Sequence, residues 1–269
     1  MNTHSLFRGR VDSLEKVILT SENGISIITL NRPESYNALD VETLEKLLLF
    51  IKEVEHNDDR ILMLTGAGKA FCSGGDISLM SQVTSTELLE SLMDIISEIA
   101  TKLYMLPKIV VTAVNGFAVG LGLSLAMASD YIVANEEARF GMLFAGIGLI
   151  PDGGGHFFLQ ERLGVHQAKQ FIWNSEQIKA KQAQKIGLVD LITESKAEEA
   201  AQELAQKILM LPFRAIIRSK LILHESKQAD LAAYLSAEKE GQAEVSKTKD
   251  HQEGITAFVE KRRPLFKGE

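Results

Sequence analysis

The chain has 269 residues and a mass of 29.6 kDa, and is 45% hydrophobic and 24% charged, which places it among ordinary folded proteins rather than disordered or collagen-like ones. That length fits one large domain, or one domain with an appendage, better than two independent ones. With 36 acidic against 29 basic side chains and a net charge of −7, the average surface repels nucleic acid, and the single cysteine, Cys72, excludes an internal disulfide. The N-terminal MNTHSLFRGR lacks the apolar core of a signal peptide, so a reducing, cytoplasmic setting is expected.

Residues 16–30 alternate around Glu-Asn-Gly and predict a two-stranded hairpin. Apolar residues at 41, 44, 47, 48, 51 and 54 then follow helical spacing, with Asp40 as N-cap. ILMLTG at 61–66 reads as a buried strand. A helix is expected to start at the Thr84–Glu87 capping box and to run through Leu103. Between Lys108 and Asp130 lie 21 uncharged residues, long enough to raise a membrane span. However, Asn115-Gly116 interrupts them, IVVTAV is β-branched and LGLSLAMA suits a helix, so a buried strand, a turn and a buried helix are expected. YIVA at 131–134 is a further strand. From Gly153 to Arg263 the pattern is mainly helical, with stretches near 154–163, 166–174, 196–211, 213–226, 229–248 and 250–262. Strands alternating with helices predict an α/β core with crossover connections. No sequence repeat, low-complexity segment or Ser/Gly linker separates the helical tail from that core.

Two glycine-rich segments follow predicted strands, where α/β folds commonly bind ligands: GAGKAFCSGGDI at 66–77 and NGFAVGLGLSLA at 115–126. A P-loop fails at Gly68-Lys69, because Met63 stands where its first glycine belongs and Ala70 where Ser or Thr belongs. A dinucleotide fingerprint fails at Gly120-Leu121-Gly122, because Leu125 occupies the third small position and the motif lies mid-chain. Taken singly, each segment is only a tight turn. Together, two strand ends with free backbone N–H groups, one at a helix N-terminus, can converge on one carbonyl oxygen as an oxyanion hole.

These residues resemble the crotonase, or enoyl-CoA hydratase/isomerase, superfamily over nearly the whole chain, from about Val17 to Phe266. The landmarks are NRPESYNAL at 31–39, GKAFCSGGDI at 68–77, AVNGFAVGLG at 113–122, ARFGMLFAGIGLIPDGGG at 138–155, AKQAQKIGLVD at 180–190 and FVEKRRP at 258–264. The resemblance implies an α/β spiral of ββα units over residues 1–199 and a helical C-terminal trimerisation region over 200–269, giving a homotrimer or homohexamer. It implies an acyl-CoA substrate, with coenzyme A entering as part of the thioester, no permanently bound cofactor, and no membrane or nucleic-acid partner. Carried over by position, the oxyanion donors are the N–H groups of Gly75 and Leu121. The backbone at Ala70, Cys72 and Ser73 lies along coenzyme A, and Phe258 and Lys261 meet its nucleotide from a neighbouring chain.

The hydratases use two glutamates to handle water, and the matching positions here are Ser124 and Phe144. Hydration needs a base for water and an acid for the α-carbon, so hydration by the usual pair is not expected. One carboxylate remains nearby, Asp152 in GLIPDGGG. Here the chain is similar to the phenylacetate-pathway enoyl-CoA isomerases and the dienoyl-CoA isomerases, which place an aspartate at this position. The chlorobenzoyl-CoA dehalogenases place one there too, but with a Trp where this chain has Phe144. Pro-Asp-Gly-Gly is also an ordinary helix-capping turn, and capping can coexist with catalysis.

A single carboxylate suffices to move a double bond, and an apolar wall from Met142, Leu143, Phe144 and Phe157 would raise its pKa. Ser124 is a secondary candidate for binding substrate or water. His156 reads as structural, Cys72 as packing, and Phe171 and Trp173 as core. The six histidines are scattered without metal-ligand spacing, so no metal is expected. The reading is therefore an enoyl-CoA isomerase. A hydratase using Asp152 and Ser124, and a non-catalytic acyl-CoA-binding protein, are the alternatives.

Overall fold

The computed structural model describes residues 15–76 and 86–269. The expected hairpin is present as β1 (Val17–Glu22) and β2 (Ile25–Leu30), which pair antiparallel. Asn23 and Gly24 at its turn both have positive φ, as a two-residue turn matched to strand twist requires. The first helix, α1 (Val41–His56), buries Leu44, Leu47, Leu48, Ile51 and Val54, and the Asp40 carboxylate accepts the Thr43 N–H as its cap. There follow β3 (Ile61–Gly66), β4 (Ala70–Cys72), α2 (Thr86–Met105), β5 (Ile109–Val114), β6 (Phe117–Val119), α3 (Leu121–Met127), β7 (Tyr131–Asn135) and β8 (Arg139–Gly141). The capping box expected at Thr84–Glu87 begins outside the described residues.

The strands form two sheets. One has the order β1-β2-β3-β5-β7-β10, where β10 is Leu191–Thr193, and is parallel except for the first pair. The other has the order β4-β6-β8-β9, where β9 is Ile178–Lys179. Each of the pairs β3/β4, β5/β6 and β7/β8 sends its first strand to the large sheet and its second to the small one. The chain is thus a spiral of repeated strand pairs, although no sequence repeat announces it.

Every residue of β3 and β5 is buried, because helices cover both faces of the large sheet. On one face, Leu62, Leu64, Val110, Val114 and Ile132 join the main core with α1, α2 and α3. The alternate residues Ile61, Met63, Ile109, Val111 and Val133 face α6 (Ala197–Leu209), which packs through Ala197, Ala201, Ala205 and Ile208. The expected division between core and C-terminal region, at 199/200, lies within this helix.

The remaining helices are α4 (Gly155–Asn174), α5 (Ala180–Lys185), α7 (Phe213–Glu225), α8 (Gln228–Val245) and α9 (Lys249–Val259). Gly164, at φ 74° and ψ 155°, breaks α4 where the periodicity predicts two helices. The tail after Gly153 is mainly helical, as expected, and also holds β9 and β10, which are too short to carry a two-residue period. Two expectations need correction. Trp173 is not core but 67% exposed, since α4 beyond Gly164 turns it to solvent, where the Lys169 ammonium lies 5.5 Å from its ring centre. Phe157 belongs to an aromatic cluster with Tyr104, Phe158 and Tyr234 rather than to the wall of a ligand site. Among the described residues no helix is long and apolar enough to cross a membrane.

Candidate active site

β4 and β6 are parallel neighbours, with Ala70 opposite Phe117 and Cys72 opposite Ala118, so the turns that follow them leave the small sheet side by side. Gly74 has φ +96°, and a Cβ there would lie 3.0 Å from the Val119 carbonyl oxygen and 3.5 Å from the Leu121 nitrogen. Only glycine permits that approach. The next residue, Gly75, forms a parallel bridge with Leu39: the Leu39 N–H donates to the Gly74 carbonyl and the Asp76 N–H donates to the Leu39 carbonyl. This pairing turns the Gly75 N–H away from Leu39. Leu121 is the first residue of α3, so its N–H has no acceptor within the helix.

The segment at 31–39 holds the first turn in place. Asn37 donates to the carbonyls of Ala67 and Ala70, and the Arg32 guanidinium donates to the Ala38 carbonyl and to the Asp76 carboxylate at 3.1 Å.

Gly75 and Leu121 both line a cavity of about 960 Å³. Its walls include Tyr36, Ser73, Leu143, Phe144, Phe258 and Lys261, so two of the expected binding residues, Phe258 and Lys261, reach the cavity of their own chain. They do so because α9 folds back on the short 3-10 helix Leu143–Ile147. The His251 ring nitrogen Nδ1 lies 2.8 Å from the Ile147 carbonyl, and a Cβ on Gly254 would lie 2.7 Å from Ile147 backbone atoms. Ala70 and Cys72 are fully buried beneath the turn and do not line the cavity. Burial pushes the Cys72 thiol up to about 12, which keeps it protonated and inert, as packing implies.

Asp152 lies one layer deeper and is 5% exposed. The turn that carries it packs on the start of α3: a Cβ on Gly153 would lie 2.6 Å from Leu121 Cδ1 and 3.4 Å from Ser124 Cβ, and one on Gly155 would lie 2.9 Å from Ser124 Oγ. The turn that carries Asp152 is therefore packed against the helix that holds Ser124 and presents the Leu121 N–H. Met142 backs the same turn, with its Cε 3.4 Å from the Gly155 position.

The surprise of the site is α8, which contributes two buried polar residues that sequence reasoning missed. Glu238 accepts the N–H groups of Gly154 and His156 at 2.8 and 3.0 Å, and its Oε1 lies 2.9 Å from His156 Nδ1. Gln242 donates through Nε2 to Asp152 Oδ2 at 3.2 Å. The available signal was that 231, 235, 238 and 242 fall on one helical stripe, and Leu231 and Leu235 mark that stripe as buried. Polar residues on an apolar stripe are the informative exception.

Burial, helped by the neighbouring Glu238 carboxylate and opposed by the Gln242 hydrogen bond, raises the Asp152 carboxyl from 3.8 to about 8. Asp152 Oδ1, Ser124 Oγ and Gln242 Oε1 are buried without a hydrogen-bond partner. Because the unfolded chain ionises Asp152 near 3.8 and the folded chain near 8, the folded chain holds the extra proton between those values. The contribution of this group to stability is therefore present at low pH and is lost as pH rises through that window, at up to about 1.4 kcal/mol per pH unit. Urea unfolding of the wild type and Asp152→Asn at several pH values should reveal this as a difference in slope, with Asn gaining relative stability toward pH 8.

The family model described as enoyl-CoA hydratase/isomerase matches residues 20–269. The chain belongs to this family. The short-chain-enoyl-CoA hydratase of Clostridium acetobutylicum is 38% identical over 254 residues, covering 93% of this chain and 97% of the relative. The 1,2-epoxyphenylacetyl-CoA isomerase of Escherichia coli is 32% identical over 260 residues, covering 95% and 99%. A crystal structure of an enoyl-CoA hydratase from Mycobacterium avium subsp. paratuberculosis aligns with a TM-score of 0.86 at 29% identity, covering 94% of this chain and 99% of that one. The crotonase fold expected from the motifs is thus the fold observed. Within this enoyl-CoA hydratase/isomerase, position 124 is a serine and position 144 a phenylalanine, while the carboxyl at 152 stands buried next to α3. Among the described residues no group of three or more His, Cys, Asp or Glu could hold a metal ion.

Proposed function

We propose that the protein is an enoyl-CoA isomerase in which Asp152 moves a proton along the acyl chain while Gly75 and Leu121 hold the thioester oxygen. As a carboxylate, Asp152 removes a proton from the carbon between the thioester carbonyl and a 3,4 double bond. The freed C–H electron pair forms a dienolate whose negative charge rests on the thioester oxygen, where the two N–H groups donate to it. The dienolate then takes a proton at C4 from the Asp152 carboxyl, which exchanges with solvent within the lifetime of the dienolate, and a 2,3 double bond is left. No atom is gained or lost. Ser73, Phe144, Phe258 and Lys261 would line the path of the coenzyme A arm, with the backbone of Ala70 and Cys72 shaping the turn below, and the ammonium of Lys261 suits its phosphates.

The observation that carries this reading is the buried Asp152 carboxyl with Oδ1 unengaged, on a turn packed against the first residues of α3. The other carboxylate buried there, Glu238, is occupied by three N–H partners. Incubating the protein with 3-enoyl-CoA in deuterated water tests the assignment. Conversion to the 2-enoyl thioester, with deuterium at the α and γ carbons and no hydroxyacyl product, is the expected result.

Hydration with Asp152 and Ser124 handling water is the second reading, and the unpartnered Ser124 Oγ and Gln242 Oε1 favour it, since both could bind a water. Rapid formation of hydroxyacyl-CoA from a 2-enoyl thioester would put it first. Under the isomerase reading the working base is ionised Asp152, so kcat/KM should rise with pH along a limb centred near 8 and fall about tenfold per unit below it. A pH–rate profile with a 3-enoyl thioester checks this.

A further inference from the structure

We propose that Glu238 and Gln242, one turn apart on the buried face of α8, are positioning residues that hold the Asp152 carboxyl with one oxygen tethered and the other free for chemistry. The proposal rests on the assignment of Asp152 as the acid and base. A leucine at either position would continue the apolar stripe set by Leu231 and Leu235, and burying polar groups instead is unfavourable unless they are engaged.

Among the described residues, both side chains engage the turn at 152–156. Glu238, 2% exposed, gathers the Gly154 and His156 N–H groups and the His156 ring, which fixes the chain on the C-terminal side of Asp152. Gln242, 3% exposed, gives its Nε2 to Asp152 Oδ2 and leaves its own Oε1 without a partner. A buried amide whose Nε2 is given to Asp152 fits a clamp that ties Oδ2 and leaves Oδ1 without a protein partner.

The two residues also act oppositely on the proton. The Glu238 charge disfavours a second charge at Asp152, and the Gln242 N–H favours the ionised carboxylate. The titratable groups placed about Asp152 are Glu238 from α8 and His156 from α4. From α3 the turn meets Leu121 and Ser124, and from α2 it meets Ile96, none of which titrates.

The test uses the intact protein labelled with 13C-aspartate. The Asp152 carboxyl is titrated by infrared difference spectroscopy, its band being the one missing in Asp152→Asn. In Gln242→Met the midpoint should move up by about half a unit to one unit, and in the isosteric Glu238→Gln it should move down by a similar amount. Gln242→Glu, also isosteric, should move it up further. The acid limb of kcat/KM should follow each shift, while KM for the thioester changes less than about twofold. Midpoints that stay at the wild-type value, or that move in the same direction in Gln242→Met and Glu238→Gln, overturn the proposal. Failure of the catalytic assignment reads differently, because Asp152→Asn would then turn over like the wild type whatever the midpoints do.

Discussion

Asp152→Asn is expected to lower kcat for double-bond migration by about 10³-fold or more while leaving coenzyme A affinity unchanged. The size follows from the mechanism. In the proposed mechanism a single carboxyl both removes and returns a proton, so its loss abolishes base and acid together, and the asparagine amide can do neither. The fold has no reason to suffer, since an amide oxygen can still accept the Gln242 N–H and the residue no longer carries a charge that burial disfavours. Coenzyme A affinity is spared because the walls proposed for the coenzyme A arm, Ser73, Phe258 and Lys261, are unchanged, while Asp152 is assigned to the acyl carbons. Stopped-flow turnover with calorimetric binding of coenzyme A separates the two effects. Wild-type protein that binds coenzyme A but never turns over any enoyl thioester would instead support a binding protein that kept the fold and lost the chemistry.

The second large effect is expected at Gly122. A Cβ there would lie 2.6 Å from both the Cβ and the carbonyl oxygen of Cys72, and the carbonyl, as backbone, cannot swing aside. Gly122→Ala must therefore push the first turn of α3 away from the turn after β4, and the Leu121 N–H moves with it. Because the two N–H groups proposed as oxyanion donors act only when aimed at one oxygen, the expected loss in kcat is about 10²–10³-fold, comparable to removing one such donor. Unlike Asp152→Asn, this change should also lower Tm, because it overpacks the junction of the small sheet with α3. Circular dichroism melting alongside steady-state kinetics checks both, and a variant with normal Tm and normal kcat would show that the two turns are not held in register as described.

Much of this architecture was legible in the residues. The hairpin was readable because Asn-Gly at its turn accommodates positive φ, and α1 because a capping aspartate precedes a clean 3.6-residue stripe. Full burial on both faces made β3 and β5 continuous apolar runs. The small sheet was not legible, because β4, β6 and β8 have three residues each and sit in glycine-rich sequence. Yet it is the pairing of β4 with β6 that sets the two turns side by side.

Gly75, Leu121 and Asp152 could be named from the sequence because the motifs that carry the family resemblance are local, whereas the residues that pack on them depend on long-range contacts. Glu238 lies 86 positions beyond Asp152 and Gln242 lies 90 beyond it, and nothing near them in sequence points back to the PDGG turn. The placement of Phe258 and Lys261 in their own chain's cavity depends likewise on how α9 folds back, which the close approach at Gly254 settles and helical periodicity does not.

That fold-back brings distant stretches of one polypeptide to the same pocket. The described walls of the cavity, from the turn after β4 to the end of α9, belong to one continuous polypeptide. A substitution at Phe144, Phe258 or Lys261 therefore alters the pocket of the very chain that carries it.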